Sequence, residues 1–258
     1  MDISINIQSY KRCGEVDTMG IVNRGKIWVH DFEAKDYEQE YGKKRIRRLP
    51  DGLRNNLPKV KNHILESEFE SGGVDGVLLL DDDIKSFQRW EKNKRIEVGV
   101  EEMMVLIEKY SLLCKEWGMG LWGVQVNSDK QCYREYTPFS TLSYVSSSFS
   151  CFMKGKTLLY DGRLPLKEDY DMTIQQINLY RGVLRVNGVY YIKKAISPGG
   201  CSVYRNMEVE QRQIELLQRK WGDEVVRFDK NDRSHSKGKK KTVLMDINPI
   251  IKVPISGI

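Results

Sequence analysis

The sequence predicts an α/β protein whose mostly parallel sheet is flanked by helices. Short apolar segments typical of strands alternate along the chain with segments of helical periodicity, and such alternation favours a mostly parallel sheet. The clearest apolar segment, residues 77–80, ends directly in Asp81, Asp82 and Asp83. Ligands of open α/β sheets bind beyond the carboxyl ends of the strands. The same segment therefore indicates both the fold class and a candidate site.

The first half of the chain supplies most of the predicted sheet. Isoleucines alternate with polar residues over residues 3–7, which indicates a strand with one buried face. Pro58 favours the first turn of a helix. The remaining predicted elements are strands over residues 27–29, 45–49, 77–80 and 121–126, and helices over residues 34–41, 58–69 and 103–117. Each of these helices joins two strands, as a parallel sheet requires.

The second half combines hairpin signals with helices. An Asn-Gly dipeptide at residues 187–188 is a strong signal for a two-residue turn, so a hairpin is predicted over residues 183–192. A second hairpin is predicted over residues 151–160, and helices over residues 167–180 and 206–221. The later hairpin and the last helix form a predicted C-terminal extension of the fold.

Composition restricts the function classes. The 258 residues are 40% hydrophobic and carry a formal net charge of +6, which suits a globular enzyme with an anionic partner. Five scattered cysteines without metal-ligand spacing indicate reduced thiols. No apolar segment reaches membrane-spanning length. We therefore expect a cytoplasmic protein with no membrane association and no obligate protein partner.

Asp81 and Asp83 form the candidate metal site. As alternate residues leaving a strand, both can turn towards one ion, whereas Asp82 points elsewhere or contacts a bound donor. Adjacent carboxylates repel one another and therefore favour a cation, which Mg²⁺ or Mn²⁺ bound to substrate phosphates would supply. The alternative is a solvated acidic turn without a ligand.

Glu168 and Asp169 are the candidate general bases. They open a predicted helix, and a carboxylate at a helix start that faces the sheet edge can accept the proton of an acceptor hydroxyl. The alternative is that both residues only stabilise the helix N-terminus, where negative side chains interact favourably with the helix dipole.

Two basic segments are candidate phosphate-binding sites. The first surrounds Lys61 and Asn62, ahead of the acidic strand, and suits a nucleotide or a sugar. The second contains His235, a candidate third metal ligand, and suits phosphates of a nucleotide or of nucleic acid. Its basic residues are Arg233, Lys237, Lys239, Lys240 and Lys241. For both segments the alternative is a solvated basic surface.

Taken in chain order, these segments resemble the GT-A class of nucleotide-sugar glycosyltransferases. The narrower resemblance is to the phage glycosyltransferases associated with base-oxidising dioxygenases, which glycosylate hydroxymethylated pyrimidines in DNA. The segments that carry the resemblance are residues 9–12 with Thr18, Glu33, residues 61–62, 78–83 and 167–169, and, for the narrower family, residues 199–201 with Arg205 and residues 221–222.

The resemblance implies a single GT-A-like domain with a Rossmann-type sheet over residues 1–258. Residues 1–126 would form the half that binds the nucleotide sugar, and residues 127–258 the half that binds the acceptor. A UDP-sugar donor, an Mn²⁺ or Mg²⁺ ion and modified DNA as the acceptor are implied as well. A phage-encoded enzyme of this kind would act in the host cytoplasm.

The resemblance also assigns roles to residues. Asp81 and Asp83 would bind the metal ion, and Asp169 would be the base of an inverting reaction, with Glu168 as its alternative. In a retaining reaction Asp169 would instead position the acceptor. The donor would be held by Ser9, Tyr10, Arg12, Glu33, Lys61, Asn62 and Asp82. The residues expected to stack on an acceptor base are Tyr136, Phe139 and Tyr144.

Two other functions agree with parts of the sequence. A nucleotidyltransferase also uses carboxylates and a metal ion, but the chain has no evident Gly-rich nucleotide loop near its N-terminus. A non-catalytic nucleic-acid-binding module would explain the basic and aromatic residues, but not residues 81–83 together with residues 168–169. The leading prediction is therefore a metal-dependent glycosyltransferase.

Overall fold

Strands from both halves of the chain interleave in one sheet. The structure is a computed structural model, and it describes residues 1–22, 24–92, 94–129, 133, 135–194, 199–228 and 248–252. Within this part of the chain, ten strands belong to the sheet: β1 (Ile3–Gln8), β2 (Lys26–His30), β3 (Ile46–Leu49), β4 (Gly76–Asp81), β5 (Ile84–Glu91), β6 (Lys94–Val98), β7 (Leu121–Gln125), β8 (Phe139–Ser140), β9 (Phe149–Met153) and β10 (Leu184–Lys193). Strands β11 (Val226–Phe228) and β12 (Pro249–Ile251) pair separately.

The order of strands in the sheet is β3-β2-β1-β4-β9-β7-β10-β5-β6, and β8 pairs with β10. Strands β3, β2, β1 and β4 run parallel to one another, as do β7 and β10. Strand β9 is antiparallel to both β4 and β7, and β5 is antiparallel to both β10 and β6. The predicted α/β class is confirmed. The antiparallel strand β9 joins the two parallel parts of the sheet.

Helices cover both faces of the sheet. The α-helices of the described residues are α1 (Ala34–Tyr41), α2 (Leu57–Glu70), α3 (Val100–Glu116), α4 (Glu168–Tyr180) and α5 (Met207–Trp221). Asn56 caps α2 by accepting a hydrogen bond from the Lys59 amide, and Asn206 caps α5 by accepting one from Val209. Among the described helices, none is long and apolar enough to cross a membrane.

The two faces of β4 pack in two different core clusters. Leu78 and Leu80 belong to the cluster that contains residues of α1 and α3. Val77 and Leu79 belong to the cluster that contains residues of α2 and α4. Because both faces are covered, this strand is a continuous apolar segment rather than an alternating one. The same burial explains why the strand that ends at Asp81 is the clearest in the sequence.

Both hairpin predictions are wrong. Residues 184–193 form the single strand β10, which pairs with β7 on one edge and with β5 on the other, and its register against β7 is irregular between Val186 and Tyr190. Strand β9 already pairs with β4 on one edge and β7 on the other, so residues 158–160 find no free edge beside it. In both cases pairing with distant strands overrides the local turn signal.

Candidate active site

A cleft of about 810 Å³ lies at the carboxyl ends of the parallel strands. It is lined by residues that end or follow β1, β2, β3, β4, β7 and β10, together with the start of α4. One lining residue from each strand end, in that order, is Tyr10, His30, Leu49, Asp81, Val126 and Lys193. Open α/β sheets bind ligands at this position. The acidic turn and Asp169 therefore share one cavity.

Asp81 and Asp83 converge on one ammonium group. Lys193 Nζ lies 2.7 Å from Asp81 Oδ2 and 3.1 Å from Asp83 Oδ1. Gln8 and Ser148 each donate a further 2.7 Å hydrogen bond to the Asp81 carboxylate. The two carboxylates are thus arranged around a single point of positive charge at the end of β10.

Thr18 fixes the backbone of the acidic turn. Its hydroxyl donates a 2.6 Å hydrogen bond to the Asp81 carbonyl and accepts one from the Ile84 amide at 3.1 Å. The Thr18 amide donates to the Asp82 carbonyl at 3.2 Å. These bonds hold the turn between β4 and β5 in one conformation, so its carboxylates keep fixed directions.

Asp82 connects Ser9 and Arg12 at the end of β1. Its buried carboxylate accepts a 2.6 Å hydrogen bond from the Ser9 hydroxyl and forms a 2.5 Å ion pair with Arg12. Burial raises the pKa of Asp82 to about 6, although Arg12 and Ser9 favour its charged form. All three predicted donor residues line the cleft. They form one connected group there.

The acidic turn suits Mg²⁺ or Mn²⁺ bound together with a diphosphate. Carboxylate oxygens are the ligands that these ions prefer, and the position of Lys193 Nζ demonstrates that one cation can contact both Asp81 and Asp83. Within the residues that the structure describes, no group of three or more His, Cys, Asp or Glu side chains is arranged to hold a metal ion. Phosphate and water oxygens would therefore complete the coordination. The predicted third ligand, His235, lies outside the described residues.

Tyr10 and His30 form an aromatic corner of the cleft. Their ring centroids lie 5.4 Å apart in an edge-on arrangement, and Phe32 packs 6.2 Å from each. Burial lowers the pKa of His30, so its imidazole is neutral near pH 7. Among the described residues, His30 Nδ1 has no hydrogen-bond partner although it is buried. Because the His30 ring is buried and stacked against Phe32, the partly exposed Tyr10 supplies the aromatic surface that this corner offers to a nucleobase.

Glu33 lies behind this corner and is not among the residues that line the cleft. Its carboxylate accepts a 2.9 Å hydrogen bond from the Lys11 amide. Lys11 has a positive φ of 56°, a backbone conformation uncommon for residues other than glycine. The hydrogen bond that the Lys11 amide donates to Glu33 stabilises this conformation. Glu33 therefore shapes the loop that carries Tyr10 and Arg12, and its direct contact with the donor nucleoside stays a prediction.

Lys61 and Asn62 contact the protein instead of the cleft, which corrects their predicted contacts with the donor. Lys61 is fully buried, and its ammonium lies 3.0 Å from Glu168 Oε1. Asn62 exchanges hydrogen bonds of 2.9 and 2.7 Å with the backbone of Tyr160. The face of α2 that carries both side chains is turned inwards, so they join this helix to the second half of the chain.

Asp169 faces the cleft from the first turn of α4. The Tyr144 hydroxyl donates a 2.5 Å hydrogen bond to Asp169 Oδ2, and the Ser147 amide donates to the same oxygen at 3.4 Å. Burial and the adjacent Asp169 carboxylate raise the pKa of Tyr144, so its hydroxyl stays protonated. Glu168 also lines the cleft, but its carboxylate is held by Lys61. Asp169 is therefore the better placed of the two predicted bases.

The aromatic residues predicted as an acceptor wall are separated in the structure. Tyr144 lines the cleft and stacks on Tyr170 at a centroid distance of 4.4 Å. Phe139 packs instead against Trp117, at 5.6 Å, and Tyr136 is 94% exposed in a turn. Neither of these two lines the cleft, because one is drawn into the core by its aromatic neighbours and the other projects into solvent. Of the three residues, only Tyr144 is placed where it could stack on an acceptor base, as predicted.

Among the cleft residues that sequence reasoning missed are Lys193, His30 and Tyr170. The sequence predicts a hairpin over residues 183–192, and this interpretation hides the fact that β10 ends beside the start of β5, directly after the acidic turn. His30 directly follows the apolar segment of β2, and its place at a strand end was the available signal. Residues 233–241 lie outside the described part of the chain, so their phosphate contacts stay a prediction.

Solved structures with a similar chain path share little sequence identity with this protein. Staphylococcus aureus TarS 1–349 is 11% identical with a TM-score of 0.47, and the alignment covers 91% of this chain and 74% of that chain. Glucosyl-3-phosphoglycerate synthase from Mycobacterium tuberculosis, in complex with Mn²⁺, UDP and glucosyl-3-phosphoglycerate, is 13% identical with a TM-score of 0.49, with coverage of 88% and 84%. A197 from STIV is 12% identical with a TM-score of 0.41, with coverage of 76% and 87%.

A family match is more decisive. No curated protein matches the sequence. Residues 19–200, which are most of the chain, match the family described as TET-associated glycosyltransferase. The matched segment contains the acidic turn, Asp169 and Lys193. Because this match covers well over half of the chain, the predicted resemblance is confirmed, and the alternatives of a nucleotidyltransferase and a non-catalytic binding module are set aside. The protein is a glycosyltransferase, and it belongs to the TET-associated glycosyltransferase family.

Proposed function

We propose that this glycosyltransferase moves a sugar from a UDP-sugar to a hydroxymethylated pyrimidine in DNA, with the help of Mn²⁺ or Mg²⁺. One observation carries the proposal. Asp81 and Asp83, which suit a metal-bound diphosphate, line the same cleft as Asp169, which suits a general base. A donor and an acceptor held together in one cavity gain the advantage of a preformed geometry for direct transfer.

The donor would lie across the ends of β1, β2 and β4. Tyr10 and His30 would contact the nucleobase, since their rings form the apolar corner of the cleft. The diphosphate would then lie beside Asp81 and Asp83. Ser9 and Asp82 would act indirectly, because their hydrogen bond and ion pair hold the side chain of Arg12 and the strand end in place.

Asp81 and Asp83 would hold the divalent cation together with oxygens of the diphosphate. When bound, such an ion neutralises the negative charge that develops on the leaving diphosphate. The Arg12 guanidinium lies 3.6 Å from the Asp83 carboxylate and would add positive charge on the same side of the cleft.

Asp169 would accept the proton of the attacking hydroxyl. As the hydroxyl oxygen bonds to the anomeric carbon, the bond from that carbon to the diphosphate breaks, and the nucleoside diphosphate leaves. The anomeric configuration then inverts, because attack and departure take place on opposite sides of the carbon. Tyr144 and Ser147 would keep the Asp169 carboxylate in its orientation throughout.

A DNA base is favoured as the acceptor by the aromatic stack beside Asp169. Tyr144 and Tyr170 lie nearly parallel and both line the cleft, which offers a flat surface to an unstacked base. An enzyme that encloses a base must first take it out of the duplex. The hydroxymethyl group would be made beforehand by a base-oxidising dioxygenase, the kind of enzyme with which the similar phage glycosyltransferases are associated. The basic residues 233–241 would add contacts to DNA phosphates.

Mass spectrometry of nucleosides tests this proposal. Duplexes that contain hydroxymethyluracil or hydroxymethylcytosine, and matched unmodified duplexes, would be incubated with UDP-sugars or GDP-sugars, in Mn²⁺ or in EDTA. We expect the mass of one sugar to be added to the hydroxymethylated base, with UDP-sugars and in Mn²⁺ only. NMR of the product nucleoside would then determine whether the anomeric configuration is inverted.

Each part of the proposal fails on a different result. Equal transfer in EDTA would contradict the role of the metal ion. Transfer from GDP-sugars alone would contradict the choice of a UDP-sugar as donor. Sugar added to unmodified DNA, or released only into water, would remove the hydroxymethyl acceptor. A retained anomeric configuration would be compatible with the proposed acceptor, but it would contradict the role of Asp169 as the base of a direct displacement.

A further inference from the structure

We propose that Lys193 is an internal counter-ion of the acidic turn, which a divalent cation displaces when it binds to Asp81 and Asp83. The inference rests on the proposed metal site and goes beyond it, because it assigns the same position to two different cations in turn. It makes Lys193 a positioning residue that occupies the metal site in the metal-free enzyme.

The contacts of Lys193 support this assignment. Its ammonium lies 2.7 Å from Asp81 Oδ2 and 3.1 Å from Asp83 Oδ1, and Ser148 Oγ lies 3.2 Å away. These are the two carboxylates that residue order in the acidic turn identifies as ligands. Because carboxylates held this close repel one another, the turn requires a cation in either state.

Lys193 differs from the buried lysines that form close ion pairs in this region. Lys61 and Lys167 pair with Glu168 and Glu210, and their side chains are only 0% and 2% exposed. The side chain of Lys193 is 33% exposed at the wall of the cleft. An ammonium on a flexible four-carbon stem can move into such a cavity without leaving a buried charge behind.

A metal ion and the Lys193 ammonium cannot occupy this position together. Inner-sphere ligands of Mg²⁺ lie about 2.0–2.1 Å from the ion, which is closer than the ammonium lies to either carboxylate. Two cations about 3 Å apart would also repel one another strongly. Binding of the metal ion must therefore move the ammonium into the cleft, where phosphate oxygens of the donor would be its next partners.

Mn²⁺ binding without nucleotide tests the inference. The free ion would be measured by electron paramagnetic resonance in titrations of wild type, Lys193→Met and Lys194→Met. Lys194 is a matched control, because it is the next residue and its ammonium pairs with Glu15 at 2.6 Å instead. We expect Lys193→Met to bind Mn²⁺ about tenfold more tightly than wild type, because the competing ammonium is gone. Lys194→Met should keep the wild-type affinity.

The stability of the same variants provides a second readout. Without metal, Lys193→Met should melt below wild type, because Asp81 and Asp83 then repel one another without the ammonium that they share. Mn²⁺ should raise its melting temperature more than it raises that of wild type. Equal Mn²⁺ affinity in wild type and Lys193→Met would overturn the counter-ion role but keep the metal site. Binding of Mn²⁺ to neither protein, without nucleotide and again with saturating UDP, would overturn both.

Reductive methylation of wild type keeps the inference testable if Lys193→Met does not fold. Lys193 and Lys194 have nearly equal side-chain exposure, 33% and 34%, so they form an internal comparison. Mapped by mass spectrometry, methylation of Lys193 should be slower than that of Lys194 without metal and should accelerate when Mn²⁺ is added. Labelling of Lys193 that does not respond to saturating Mn²⁺ would show that no displacement takes place.

Discussion

The Tyr144 hydroxyl donates a 2.5 Å hydrogen bond to the carboxylate of Asp169. Tyr144 itself stacks on Tyr170, so the carboxylate is attached to a rigid aromatic pair at the start of α4. A general base requires such a fixed direction, because proton transfer depends on hydrogen-bond geometry. This relationship favours Asp169 over Glu168 as the residue that carries the predicted chemistry.

Replacement of Asp169 by Asn should remove the base while keeping its shape. Asp169→Asn should lower kcat by about 10²–10⁴-fold, which is the usual contribution of general-base catalysis. Donor affinity should stay near wild type, since the side chain lies on the acceptor side of the cleft. Steady-state kinetics with isothermal titration of UDP would separate the two effects. Normal turnover in this variant would remove Asp169 from the mechanism.

Replacement of Asp83 should act on the donor instead. Asp83→Asn keeps the size of the side chain but removes one of the two charges around Lys193 Nζ. We expect UDP binding to lose its dependence on Mn²⁺, because one carboxylate ligand is lost. Thermal shift with UDP, with and without Mn²⁺, measures this. Asp169→Asn is the control, and its shift by UDP should still depend on Mn²⁺.

The buried pair of Lys61 and Glu168 should contribute to stability rather than to donor binding. Lys61→Met should destabilise the fold by about 3–5 kcal/mol, because it leaves the Glu168 carboxylate buried without its partner. The double variant Lys61→Met/Glu168→Gln should recover much of this loss. Urea unfolding measures both. A single variant of wild-type stability but weak UDP binding would restore the original prediction of a donor contact.

His30 should make stability depend on pH. Burial lowers the pKa of His30 below its ordinary value of 6.5. As the pH falls below about 6.5, the unfolded chain therefore gains a proton at this position before the folded protein does, so stability decreases. His30→Gln should lose less stability between about pH 7 and pH 5.5 than wild type loses. Urea unfolding at the two pH values gives the difference, and parallel curves would contradict it.

The basic residues 233–241 should set the salt dependence of DNA binding. Replacement of Lys239, Lys240 and Lys241 by Gln should reduce the slope of log affinity against log salt concentration by roughly 0.9 for each DNA phosphate that the variant no longer neutralises. A triple Gln variant of residues 43–45, which are exposed basic residues next to β3, is the matched control. Equal slopes for the two variants would mean that DNA binding depends on net charge alone, and they would contradict a specific phosphate contact of residues 239–241.

Local signals were sufficient for the parts of the site that follow directly from one element. The acidic turn and Asp169 could be predicted because each lies at the end or start of a single strongly patterned segment. Tyr144 was predicted as an acceptor residue, but its bond to Asp169 depends on how the loop before β9 packs on α4. Only the fold shows that Asp169 and Tyr144 lie side by side in one cleft.

Other residues depend on pairings that a single sequence does not display. Lys193 reaches Asp81 because β10 runs parallel to β7 and antiparallel to β5, and the Asn-Gly signal indicates a turn at that point instead. Glu33 lies just before α1, and Lys61 lies within α2. Sequence pattern does not distinguish a polar side chain that faces a ligand from one that supports a loop or a buried partner.

Strand β9 has a consequence for how this enzyme can be divided or recombined. It comes from the second half of the chain, yet it lies between β4 and β7 of the first half. A fragment of residues 1–126 would leave these two strands without the neighbour that joins them, and Lys61 without Glu168. Chimeras that exchange acceptor halves between relatives at residue 126 must therefore form the pairing of β9 with β4 and β7 from two parent sequences. Exchange of the loops that follow the strands, with β9 and α4 kept, is the route to a new acceptor.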